Sequence, residues 1–132
     1  MLYITNDIIL AVELKKLMGD NYTVKMPGCD WTNLIAIHIT EDSDAQSRLW
    51  CIDIANPNNS EGQIKVSARY NIQKEQIPEI ADKLDVADII TVRYAGVNVY
   101  REHTMKIAKF NDFSIAEIES TAKEIVSILR SL

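Results

Sequence analysis

Three residues of types that do chemistry sit on two neighbouring apolar stretches. "LIAIHIT", Leu34 to Thr40, carries His38, and "LWCIDIA", Leu49 to Ala55, carries Cys51 and Asp53 at matching parity. If the two stretches pair as a hairpin symmetric about their loop, His38 lies opposite Cys51 and Ala36 opposite Asp53, with directly opposed Cβ atoms roughly 5 Å apart. An imidazole at that distance favours the thiolate and can shuttle its proton, which is the minimal equipment of a small cysteine-dependent hydrolase or transferase. Two observations weigh against it. None of the four glycines adjoins Cys51, so no oxyanion hole is signalled there. A cysteine in mid-strand is also more commonly a small buried hydrophobe.

Other chemistries are less well supplied. His38-Ile39-Thr40 matches one half of the His-x-Thr signature of two-histidine phosphoesterases, but the second histidine, His103, is followed directly by Thr104, so strand alternation turns that pair to opposite faces. Cys29, Cys51, His38 and His103 show no C-x₂₋₄-C or H-x₃₋₅-H spacing, so no zinc site is expected. The acidic loop "EDSDAQS" lacks the glycine and terminal glutamate of a calcium loop and reads as a solvated hairpin tip. There is no phosphate-cradling glycine loop and no Ser–His–Asp order. No cofactor is implied.

The elements that must position these residues belong to one soluble domain spanning 1–132, with 47% hydrophobic and 25% charged residues. Net charge is −5, and apart from Lys15-Lys16 the basic residues are single, so nucleic acid is disfavoured as a partner. Acidity suits solubility, or electrostatic steering of a basic protein partner. No apolar run approaches the ~18 residues of a membrane span. The opening "MLYITNDIIL" shows no signal-peptide pattern, and two cysteines in an ordinary core fit a reducing compartment, so a cytoplasmic protein is expected.

Helical spacing of Leu10, Leu14, Leu17 and Met18 predicts a helix over 6–18, capped from Thr5, Asn6 or Asp7 and ended by Gly19. Alternating segments at 22–26, 34–40, 49–55 and 63–70 follow, with turn-rich connections, and predict an antiparallel meander. A short helix is expected from Pro78 through Leu84, then strands over 88–95 and 97–108 joined at "AGVN", with Gly96 supplying the turn. Ser114 and Glu117 form a capping box with Phe113 and Ile118 as hydrophobic staple, opening a last helix whose stripe is Ile115, Ile118, Ala122, Ile125, Leu129 and Leu132. The fold class is therefore α+β, a single antiparallel sheet of about six strands in the order α-β-β-β-β-α-β-β-α, with helices on one face. A second copy covering part of the last stripe would make a homodimer.

Parity assigns the faces. Ile35, Ile37 and Ile39, with Trp50, Ile52 and Ile54, should meet the helices, as should Ile64, Val66, Ala68 and Tyr70. The opposite face collects Leu34, Ala36, His38, Thr40, Leu49, Cys51, Asp53, Lys65, Arg69, Thr91 and Arg93, neither plainly solvated nor plainly core. Such a face is a candidate protein-binding surface. Trp31, in the loop before the second strand, with Lys65, Arg69 and Arg93, are its candidate anchors, because Trp and Arg dominate interface energetics.

From "ILAVELKKLMGDNYTV" to "SIAEIESTAKEIVSIL", the element order, size and acidity resemble the small acidic proteins of the type III secretion chaperone-like fold, including the YbjN-type family. The resemblance implies a partner-binding protein, often dimeric, with no catalytic residues to carry over. The chain departs from that pattern at its short middle helix, which begins at Pro78.

Overall fold

The described residues of the computed structural model form an α+β fold of two helices and one antiparallel sheet. The structure describes residues 5–27, 29–30, 33–42, 49–73, 89–93 and 96–131, and the side-chain surroundings of 5–27, 33–42, 49–68 and 102–131.

Helix α1 runs Asn6–Met18 and buries Leu10, Leu14 and Asp7. Thr5 is extended at φ −93°, ψ 163°, and its hydroxyl donates to the Asp7 carboxylate while making no capping bond with the helix N–H groups. Gly19 ends the helix at φ 98°, ψ −174°, a region that side chains with a Cβ avoid. The Gly19 N–H donates to the Lys15 carbonyl, and Lys15 Nζ donates to the carbonyls of Gly19, at 3.1 Å, and Tyr22. The exit from α1 into the sheet is thus satisfied locally.

Among the described residues seven strands follow: β1 Tyr22–Lys25, β2 Cys29–Asp30, β3 Leu34–Glu41, β4 Leu49–Ala55, β5 Gly62–Gln73, β6 Ile89–Arg93 and β7 Gly96–Ile107. Their order in space is β1-β3-β4-β5-β7-β6, with β2 also paired to β3. The sequence-based count of about six strands, and the order drawn from it, need correction here. Cys29–Asp30 sits in turn-rich sequence but docks on the length of β3 that β1 leaves open. Gly96 is the first paired residue of β7, opposite Arg93 and Gln73, so the β6–β7 connection is 94–95 and not a turn at Gly96. The helix expected over 78–84 lies outside the described residues.

Gly62 opens β5 under steric demand: a Cβ there would stand 2.9 Å from the Asn56 carbonyl oxygen and 3.0 Å from that of Ala55. Asn56 itself turns at φ 53°. "NPNNSEG" therefore reverses the chain tightly, and this fixes the register of β5 against β4.

A 3-10 turn, Phe110–Asp112, leads into helix α2, Ile115–Ser131. Its capping box is formed: the Glu117 N–H donates to Ser114 Oγ at 3.2 Å, and the Ser114 N–H donates to Glu117 Oε1 at 3.1 Å. Ile118 is buried and Phe113 packs against the core beside it. Asn6 Nδ2 donates to the carbonyls of Phe110 and Phe113, tying α1 to this entry. Two stripe residues differ from expectation: Ile115 is 62% exposed at the helix's first residue, beyond the buried turns, and Val126 is buried instead. Leu132 lies outside the described residues.

Ile35, Ile37, Ile39, Ile52, Ile54, Ile64 and Val66 are fully buried in one cluster with Leu10, Leu14, Ile118, Ile125 and Leu129. Both described helices therefore cover the face that parity assigned to them. Each such side chain contributes about 1.5–3 kcal/mol by leaving water.

Candidate functional site: the helix-free sheet face

Antiparallel pairing sets the opposite face, which is free of both described helices, out in cross-strand rows. One runs Lys25, His38, Cys51, Ser67, Glu102 over five strands. Beside it run Ala36, Asp53, Lys65, Thr104, and beyond that Leu34, Ala55, Gln63, Lys106. On the other side lie Thr23, Thr40, Leu49, Arg69, Tyr100. The symmetric hairpin register is thus realised, and His38 faces Cys51 while Ala36 faces Asp53.

Adjacency does not make this a nucleophile's site. Cys51 is a thiol with 8% of its surface exposed, and it pairs on one side with His38 and on the other with Ser67. In a central antiparallel strand the N–H groups around it are taken by the two ladders, so none is left to hold an oxyanion. Asp53 lies diagonal to His38 and stands directly opposite Ala36 and Lys65. Two clefts among the described residues, of about 760 Å³ and about 460 Å³, lie elsewhere, at the "NPNNSEG" turn with Lys106 and between α1 and β1.

The two-histidine reading fails on parity. His103 pairs with Val66, on the helix-covered side, whereas His38 is on the other face. Cys51 is a free thiol, and Cys29, on β2, pairs with Ile35 of β3. Among the described residues no three His, Cys, Asp or Glu side chains converge as a metal site, and no helix is long and apolar enough to cross a membrane.

As a surface, the face is mixed in fact as well as in pattern. Leu34 is 44% exposed, while Ala36, His38, Leu49, Asp53 and Lys65 are each partly buried. Ser67 is 2% exposed although neither described helix lies over it. Lys65 stands opposite Asp53 and 3.9 Å from the Glu102 carboxylate. Arg69 and Arg93 occupy register positions on this face, in the row of Leu49 and opposite Gly96 respectively. Trp31 lies outside the described residues. Sequence reasoning missed Lys25, Glu102 and Lys106 as members of the face. Their alternation was visible within each strand, but the register that carries it across to β1 and β7 was not. No known protein family, characterised protein or solved structure matches this chain.

Proposed function

We propose that the protein is a non-catalytic, cytoplasmic protein-binding protein of the chaperone, immunity or inhibitor kind, whose helix-free sheet face and acidic loops meet a separate protein partner. The observation that carries this reading is the half-buried mixture on that face: Leu34, Ala36 and Leu49 lie among charged residues with neither described helix over them. A solvated sheet face would alternate cleanly to polar. The chaperone-like resemblance in element order agrees with the proposal, with Trp31, Lys65, Arg69 and Arg93 as anchors.

The test compares retention of partners from cell extract by wild type and by Ala36→Arg, with Lys123→Glu on the exposed side of α2 as control. A partner lost only with Ala36→Arg supports the reading, and one retained equally by all three counts against the face. Light scattering distinguishes a second copy of the chain from a different protein. Reversing Arg69 and Arg93 together to Glu should leave the fold intact and abolish binding; unchanged affinity would remove them as anchors.

A second reading keeps one specific observation in its favour, the His38–Cys51 register: a small cysteine-dependent hydrolase or transferase with Cys51 as nucleophile, His38 as base and Asp53 nearby. The absence of free backbone donors at Cys51 and the mid-sheet position place it second. Thiol reactivity decides between the two.

A further inference from the structure

The charged side chains described on the helix-free face balance one another. Lys25, Lys65 and Lys106 stand there with Asp42, Asp53 and Glu102, although the chain as a whole carries a net charge of −5. A balanced set can answer itself, and an interface between two identical copies requires that, because each residue there meets a residue of the same set. The register shows the arrangement that achieves it. A twofold axis parallel to the strands, midway between β4 and β5, lays β4 over the second copy's β5 and β3 over its β7, while every cross-strand row keeps its own level. Asp53 then faces the second copy's Lys65, His38 its Glu102, Cys51 its Ser67, Ala36 its Thr104 and Leu34 its Lys106. No described charge meets its like. An axis running along β4 or β5 instead would set Asp53 on Asp53 or Lys65 on Lys65.

Resting on the protein-binding reading above, we infer that in the partner-free protein a second copy of this chain occupies the helix-free face, the two sheets stacking about this axis. Small residues lie beside the axis, Cys51, Ser67 and Ala55, which suits the approach of about 10 Å at which sheets stack. Aligned sheets keep their strands within about 30° of each other, so the facing of Asp53 with Lys65 near the axis survives the twist. Lys65 and Glu102 touch at 3.9 Å within one copy yet keep 38% and 45% of their side chains exposed, so each can take a further partner across the interface. Leu34, Ala36 and Leu49 supply the apolar area between them. A different protein gains the face only by displacing the copy, and self-association therefore sets the concentration at which the face is open.

Sedimentation velocity over about 1–500 µM measures self-association of the wild type, Asp53→Lys, Lys65→Asp, an equimolar mixture of those two, and Lys123→Glu on the exposed side of α2, each confirmed folded by thermal melting. The wild type should move from 15.0 kDa toward twice that mass, and Lys123→Glu with it. Each reversal alone sets like charges at 53 and 65 across the axis and should weaken association at least about tenfold. The mixture should regain it to within about threefold, since reversed position then meets reversed position and native meets native. A cross-strand pair acting only within one chain would not be restored by mixing. Leu34→Lys, at a 44% exposed site facing the second copy's Lys106, leaves the Asp53–Lys65 pair intact and should also weaken association about tenfold, which decides the matter if a reversal fails to fold. The second copy is overturned if the wild type stays at 15.0 kDa, if the reversals or Leu34→Lys associate as it does, or if the mixture is no stronger than its components. None of these results touches the protein-binding reading, which partner retention by Ala36→Arg judges separately.

Discussion

Alkylation of Cys51 separates the two functional readings by several orders of magnitude. In a Cys29→Ser background, iodoacetamide at neutral pH reports Cys51 alone. The thiol is 8% exposed on β4, paired on both sides, so the reagent reaches it mainly through opening of the central strands. Such opening costs close to the global stability, at least about 5 kcal/mol, which with RT near 0.59 kcal/mol corresponds to slowing by about 10³–10⁴ relative to an unstructured cysteine. A thiolate activated by His38 would instead be mostly ionised at pH 7, against a few per cent for an ordinary thiol, and would react roughly tenfold faster than that reference. Mass spectrometry of timed quenches gives the rate, and urea restores reactivity in the protected case. Native alkylation faster than in urea would refute the structural assignment of Cys51 and return catalysis to first place.

Three stability predictions follow from the same geometry. Gly62→Ala gains up to about 1 kcal/mol from a stiffer unfolded chain but meets backbone oxygens at 2.9 and 3.0 Å, so the net effect should be a loss of about 1–2 kcal/mol in urea unfolding; an unchanged midpoint would contradict the close approach. Ser114→Ala should cost about 1 kcal/mol, and Glu117→Ala in that background less than it costs alone, because each closes one half of the same box; strict additivity would argue against the reciprocal bonds. Ile52→Ala, at 0% exposure beneath the helices, should cost about 2–5 kcal/mol, whereas Lys65→Met, breaking an exposed pair at 3.9 Å, should cost under about 1 kcal/mol; calorimetric melting ranks the two.

What could be read from the chain follows the range of the physics involved. Period-two alternation placed Ile35 through Ile39 and Trp50 through Ile54 on the helix side, since burial of one strand face is written in the strand itself. The capping box at Ser114 and the stop at Gly19 were legible for the same reason, being contacts within a turn. The hairpin register bringing His38 to Cys51 also followed, because the two strands share one connection and one symmetry. Cys29–Asp30 was not legible: two residues have no period, and they pair only because β1 ends early along β3. The full membership of the face opposite the described helices was hidden too. It depends on the pairing of β5 with β7, whose sequences are separated by the residues 74–95, and no local pattern states that register.

The division of labour between β1 and β2 constrains how copies of this protein can meet. Both lie along the same side of β3, four residues and then two, with exposed Lys25 ending β1 and exposed Pro27 lying between the two strands. An intruding strand therefore finds no continuous row of backbone donors and acceptors on which to grow: the template is short, broken, carries a charge and includes a residue with no N–H to give. Fibril-like extension from this margin is blocked by construction, at no expense to the broad surface of the sheet.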